Sequence, residues 1–409
     1  MKNKSLISYV ILAIPLAFIG LPIYIYLPNF YNQSFGISLQ EIAAILLITR
    51  LCDTFLDLAI GPISDKFSSH RKKIIAFSCP LLGIAVYYLF LPTSFFDIKT
   101  SLTISLFFTY SLFSIIWINH QALAVSITKN NSLKSTIIAY REALFVVGII
   151  LASLLPAILE NYFSAKKSFE IIGFFYFFFI CICAGFFYKF VKPEINSSQK
   201  LSLNLNKIID KKLGHFFAIF LSNSIASSIP ASLITFYVAR VLNLENQIGL
   251  FLILYFFGLI LGIFFWTKLS KKLNNKSKTW LISSIATVLI FPFCFFLSDG
   301  DFALYALICL LSGFSFAGDF CLSYSILGDI IGEKNLQNSE STIFSITNFL
   351  VKISFTISSV ALIYSLGTIR DLGADERQFL SYSYAILPCF FKIISAVLLF
   401  NFFRKYEKI

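Results

Sequence analysis

Residues 42–63 read IAAILLITRLCDTFLDLAIGPI, an apolar run interrupted by Arg50, Asp53 and Asp57. The run is long enough to cross a bilayer as a helix. Two carboxylates and a guanidinium at that depth are costly, and such groups are kept where they face a partner or a water-filled cavity. In a helix Asp53 and Asp57 stack one turn apart on one face, and Arg50 precedes Asp53 on that face by a further turn. Charges so arranged propose an ion pathway inside a membrane helix.

Composition extends this reading to the whole chain. The 409 residues are 57% hydrophobic and 13% charged, whereas a soluble domain carries about 25% charged residues. Apolar runs recur along the length, bounded by polar or basic clusters. A transmembrane barrel would instead show short alternating strands. The pattern predicts an all-α membrane protein of twelve spans, at roughly 7–29, 39–63, 74–95, 102–128, 136–158, 169–191, 214–239, 248–269, 279–298, 302–327, 341–366 and 379–402. The N-terminal Met-Lys-Asn-Lys precedes an apolar run with no small-residue cleavage site, so it reads as a retained first helix. Spans one and four are the least regular, through prolines in the first and Asn119-His120-Gln121 in the fourth.

The net charge of +12 is a topology signal and not a nucleic-acid footprint. With the N-terminus inside, and with Lys189 and Lys268 at the cytoplasmic ends of their spans counted inside, 23 of the 33 Lys and Arg residues fall on the cytoplasmic side, six outside and four deeper within spans (Arg50, Arg141, Lys352, Lys392). This is the positive-inside distribution, and it puts both termini in the cytoplasm and the chain in the cell (inner) membrane as a multi-pass protein. All eight cysteines fall inside predicted spans, so no disulfide framework or resident metal is expected. No phosphate-binding loop, G-x-S-x-G or H-E-x-x-H occurs, so no enzyme and no cofactor is expected.

The longest interior polar segment, 192–213, divides the spans six and six: a first half at 1–191, a cytoplasmic linker at 192–213 and a second half at 214–409. A weak repeat at an offset of 206 supports the division. It carries Phe30-Tyr31 onto Phe236-Tyr237 and Ser64-Asp65-Lys66 onto Ser270-Lys271-Lys272. Parallel six-helix halves are a transporter organisation. Arg50, Asp53 and Asp57 map onto Phe256, Leu259 and Ile263, so a six-helix half does not need the charges.

Two carboxylates at this spacing can converge on one hard cation such as sodium, or share a proton. A helix-locking ion pair with Arg50 would need only one of them. Lys352, mid-span in the second half, is a candidate counter-charge for the surplus acid. Arg141, between Tyr140 and Glu142, can fork onto a hydroxylated or carboxylated solute, or anchor a helix end. Asn119 and His120, with Gln121, cannot all face lipid and read as a polar band toward solute or toward neighbouring helices. Asp319 is a further intramembrane acid. The turn holding Gly61, Asp65, Arg71, Lys72 and Lys73 places an acid before a basic cluster, which suits gating between cytoplasmic helix ends.

That turn resembles the G-x-x-x-D-[R/K]-x-G-[R/K]-[R/K] signature of the major facilitator superfamily, with an inserted stretch. Arg50 through Gly61 is similar to the R-x-x-D-x-x-x-D-P-x-x-G motif of the glycoside-pentoside-hexuronide:cation symporters, the melibiose permease-like family. Tyr140-Arg141, Gly318-Asp319, Asp329 and Asn348 to Lys352 fall where that family has matching residues. The resemblance covers all predicted spans. It implies the major facilitator fold and a cation-coupling centre at Asp53, Asp57, Arg50 and Lys352. It implies a solute site at Arg141, His120, Asn119 and Asp319. Leu58 replaces the motif's proline, and Leu56 replaces an asparagine that favours sodium. The family's two sugar-recognising acids align with Ala17 and Ile116, and its helix-four tryptophan with His120. The galactoside substrate is therefore not implied, and a proton is favoured over sodium as coupling ion. The expectation is a monomeric symporter of a small solute, such as a sugar or glycoside. Its rivals are a lipid or lysolipid translocator of the same fold and a non-transporting membrane partner or sensor.

Overall fold

The computed structural model describes residues 3–20, 23, 26–92, 96–128, 130–192, 210–371 and 375–406, and every regular element among them is helical. Most of the expected linker, 193–209, lies outside the described residues. The helices are α1 Asn3–Ile11, α2 Ala13–Phe18, α3 Leu27–Phe35, α4 Leu39–Lys66, α5 Arg71–Phe90, α6 Ile98–Ser126, α7 Asn131–Glu160 and α8 Ala165–Phe190. They continue as α9 Lys211–Arg240, α10 Ile248–Lys272, α11 Lys276–Ile290, α12 Phe302–Glu333, α13 Glu340–Asp371, α14 Glu376–Ser381 and α15 Leu387–Tyr406.

Ten helices among the described residues are long and apolar enough to cross a membrane. The two further spans expected from the sequence differ for identifiable reasons. The first is broken: Pro15 cannot donate to the carbonyl of Ile11, and α1 ends there. The second, α4, is an unbroken helix of 28 residues, but Glu41, Arg50, Asp53, Asp57, Asp65 and Lys66 lower its apolarity. The fourth, α6, runs without interruption through Asn119-His120-Gln121.

Polar residues start the helices. Ser38 and Glu41 form a reciprocal capping box at α4, while Asp97, Ser164, Asp210 and Asn275 cap α6, α8, α9 and α11. Before α4 the chain turns at Gly36 with φ of 69°, the left-handed conformation that a Cβ disfavours. Late in the chain a π-turn over Tyr382–Ile386 precedes α15. It contains Tyr384, whose carbonyl Pro388 cannot satisfy.

Two compact units are present. The first comprises residues 1–203 together with 335–348, and the second 204–334 with 349–409. The first turns of α13 therefore group with the first unit and the rest of that helix with the second. Within the first unit α4 and α5 pack on α6, α5 on α8 and α2 on α7. Within the second, α10 packs on α12, α11 on α12 and on α15, and α9 on α15. Second-on-fourth, third-on-fourth and third-on-sixth pairings thus recur in both.

The weak sequence repeat has a structural counterpart. The Tyr31 hydroxyl donates to the Leu89 carbonyl near the end of α5 at 2.7 Å. The Tyr237 hydroxyl donates to the Cys294 carbonyl, in the turn after α11, at 2.5 Å. Both tyrosines are fully buried. Each ties the first long segment of its unit to the end of the third.

Candidate functional site

Asp53 and Asp57 share a buried face of α4. From α6, the Ser114 hydroxyl donates to Asp53 Oδ1 at 2.7 Å. Arg50 is half-buried, its guanidinium carbon 5.3 Å from the centre of the Tyr110 ring, also on α6. The seam between α4 and α6 thus concentrates two acids, a cation, a hydroxyl and an aromatic face. An oxygen-rich set of this kind suits a hard cation or a proton. Lys352 is half-buried in the stretch of α13 that belongs to the second unit.

The three consecutive polar residues of α6 diverge. Asn119 turns to α4, its amide nitrogen donating to Ser64 Oγ at 2.9 Å and to the Ile115 carbonyl at 2.8 Å. Gln121 accepts from Asn348 at the start of α13 at 2.9 Å. His120 turns to α1: its ring stacks on Tyr9 with centres 4.2 Å apart, and its Nε2 meets the Tyr9 carbonyl at 3.0 Å. A carbonyl only accepts, so Nε2 carries the hydrogen. The Tyr9 hydroxyl returns a bond to the His120 carbonyl at 2.7 Å.

Arg141 joins this His120 cluster from α7. It is 1% exposed and grips the adjacent Glu142, with Nε 3.1 Å from Oε1 and Nη2 on the same oxygen. Its guanidinium carbon lies 5.3 Å from the Trp117 ring centre and its hydrogens reach the Tyr9 hydroxyl. Trp117 in turn packs on Phe145 at 4.8 Å and on His120 at 6.3 Å. Of the four residues expected at the solute, the structure brings Arg141 and His120 together. Asn119 points to a different helix.

Asp319 belongs to a separate cluster in the second unit. It accepts from Trp280 Nε1 of α11 at 2.5 Å and from Lys392 of α15. Lys392 also donates to Asn223 of α9 at 2.5 Å. All four residues are buried, and together they tie α9, α11, α12 and α15. Breaking one partner of such a buried pair costs about 3–5 kcal/mol.

The turn after α4 is built around Asp65. One carboxylate oxygen accepts from the Ser341 amide and Arg71 Nη2, each at 2.8 Å. The other accepts from the Thr342 amide at 2.8 Å and its hydroxyl at 2.6 Å. Asp65 thereby satisfies orphan donors at the first turn of α13 and complements its dipole. Arg71 also pairs with Glu340. Gly61 lies against the same turn: a Cβ there would sit 2.2 Å from Ser345 Oγ and 2.8 Å from the Thr342 Cα. Lys72 packs over the Tyr188 ring at 4.9 Å, and Lys73 is exposed.

Sequence reasoning left Tyr9, Trp117, Ser114, Trp280, Asn223 and Lys392 without roles. Two carried a usable signal. Lys392 is a cation within an apolar span, and Trp117 is one turn from His120 on the same helix face. The others are ordinary polar or aromatic residues until the fold brings them to a charge.

Comparison with known proteins places these features. The family described as MFS/sugar transport protein matches residues 8–404. A curated Escherichia coli (strain K12) relative named "Putative sulfoquinovose importer" is 22% identical over 94% of this chain and 87% of its own. A bacterial homologue of the iron transporter ferroportin, solved in an outward-facing state, superimposes with a TM-score of 0.77 at 14% identity. It covers 98% of this chain and 99% of the other. The Escherichia coli fucose:proton symporter superimposes with a TM-score of 0.72, also at 14% identity, over 98% of each chain. At these identities the two structures show the fold, which is that of the major facilitator superfamily. The chain is a multi-pass membrane protein of a family of transporters, not enzymes, and it belongs to the MFS/sugar transport protein family.

Proposed function

We propose that this protein is a cation-coupled symporter of a small sugar or glycoside, working by alternating access in the inner cell membrane. In this reading it is a monomer with twelve spans and both termini cytoplasmic. The observation that carries the proposal is the pair Asp53 and Asp57, both buried on one face of an otherwise apolar helix. A charge pair there is unfavourable unless it works on something. Arg50 offsets one carboxylate. A proton or sodium ion neutralises the other and favours solute binding at Arg141 and His120. The tie between Asp65, Arg71 and the first turn of α13 acts as the cytoplasmic gate, with Lys72 and Lys73 beside it at the headgroups. Asn119 and Asp319 serve this cycle by holding helices, since their side chains bond neighbouring helices. The family description and the named substrate of the relative support a sugar.

The test is a thermal-shift screen of purified protein against sugars, at two pH values and with and without sodium. A bound sugar at a hundred times its Kd adds about 2.7 kcal/mol of stability. The expected result is a sugar whose stabilisation changes with pH or sodium. A sugar that stabilises equally in all four conditions would remove the coupling. Stabilisation by lipids alone would remove the sugar.

A further inference from the structure

Four lysines gather where α5 begins and α8 ends. Lys72 and Lys73 lie in the first turn of α5, Lys189 in the last turn of α8, and Lys192 just beyond that helix. Lys72 is held 4.9 Å from the centre of the Tyr188 ring of α8. Lys192 lies close enough for the two like charges to oppose each other. An aromatic face steadies a cation without neutralising it. In the second unit, Lys212, Lys276 and Lys334 at helix ends each meet an acid, at 2.6, 2.5 and 2.9 Å. Among the described residues, none of the four lysines at the α5–α8 end has such a partner, and the first turn of α5 holds no acid. The seam that runs away from them is apolar and closely packed. A Cβ on Gly83 of α5 would come 2.9 Å from Phe177 and 3.1 Å from Ile180 of α8. Nearer the lysines, Phe77 packs on Tyr188 with ring centres 6.3 Å apart, and Phe77, Leu81, Ile182 and Phe186 are exposed. In a membrane protein such outward side chains meet acyl chains.

We propose that this end of the α5–α8 seam binds an anionic phospholipid, with its phosphate between Lys72 and Lys192 and an acyl chain over Phe77. The place calls for a molecule that is negative at one end and apolar along the rest. Phosphate oxygens supply the acceptors that lysine ammonium groups lack, and basic clusters beside a membrane helix attract anionic headgroups. A zwitterionic lipid brings an ammonium of its own, which the four lysines repel. The inference does not depend on the solute or on the coupling ion.

The experiment is native mass spectrometry of the purified protein, titrated with phosphatidylglycerol or phosphatidylcholine and read as the affinity for the first bound lipid. Wild type is expected to bind phosphatidylglycerol more tightly than phosphatidylcholine. In the double variant Lys72→Gln, Lys192→Gln that affinity is expected to fall about tenfold or more, the worth of two lysines at a lipid surface. The control Lys272→Gln, Lys278→Gln removes the same charge from exposed positions at the ends of α10 and α11, and is expected to keep the wild-type value. An equal loss in both double variants would assign the binding to net charge and overturn the site. Displacement of the lipid by inorganic phosphate at equal concentration would make free phosphate the ligand and overturn the choice of a lipid. Equal binding of the two lipids by wild type overturns the proposal as well, and this arm decides alone should the variant not fold.

Discussion

Tyr31 and Tyr237 each spend one hydroxyl on one carbonyl, and neither carbonyl is in reach of water. Removing such a donor leaves a buried acceptor unmatched, at about 1–3 kcal/mol. Tyr31→Phe and Tyr237→Phe are therefore expected to lower stability by similar amounts, read from thermal unfolding in detergent. A loss in one variant and none in the other would contradict the equivalence of the two positions. At this scale the sequence was informative about charge and weak about partnership. Asp53 and Asp57 declared themselves because carboxylates do not belong in an apolar run. Ser114, which donates to Asp53, is 61 positions away, and a serine in a helix carries no mark of the acid it serves. Glu142 was visible beside Arg141, but only the fold shows that it neutralises the guanidinium.

Helix boundaries follow local chemistry. Pro15 accounts for the end of α1, the Ser38–Glu41 box for the start of α4, and Asp210 for the start of α9. Asp210 also meets Lys334 at 2.9 Å. The Lys334 ammonium, aided by the Lys212 amide, holds its carboxyl below the usual aspartate range. A depressed carboxyl pKa gives stability that is present above the unfolded value, near 4, and is lost as pH falls through the folded one. Asparagine caps as well as aspartate, so Asp210→Asn removes the charge and keeps the cap. The pair is largely solvent-screened, and the expected loss at pH 7 is under about 1 kcal/mol. The melting-temperature gap from wild type should close below about pH 4. A gap that persists there would mean that the cap, and not the charge, was lost. Most elements were legible because apolar length and polar punctuation are local. The first span was not, because its break depends on prolines whose effect on a membrane helix is set by neighbouring packing. The second was legible only by allowing functional charge inside a span.

The two units share an internal pattern of helix pairing and differ in their charges. The first carries Asp53 and Asp57 on its second long helix, where the second unit has Leu259 and Ile263. The second unit keeps its buried charge as the Asp319–Lys392 pair on other helices. A duplicated scaffold explains the pairing, and the unmatched acids are where the proposed coupling is placed. The fold class was readable from hydropathy and the repeat. The solute site was readable only as candidates, because Asn119 and His120 on one helix, Arg141 on a second and Asp319 on a third make contacts that no spacing reveals. The central claim is that Asp53 and Asp57 couple ion flow to sugar movement. It is tested most directly by sugar uptake into vesicles under an imposed proton or sodium gradient, for wild type and Asp53→Asn. The account predicts that wild type accumulates sugar above the outside concentration, while Asp53→Asn exchanges sugar downhill and accumulates none. Accumulation by Asp53→Asn to the wild-type level would contradict it.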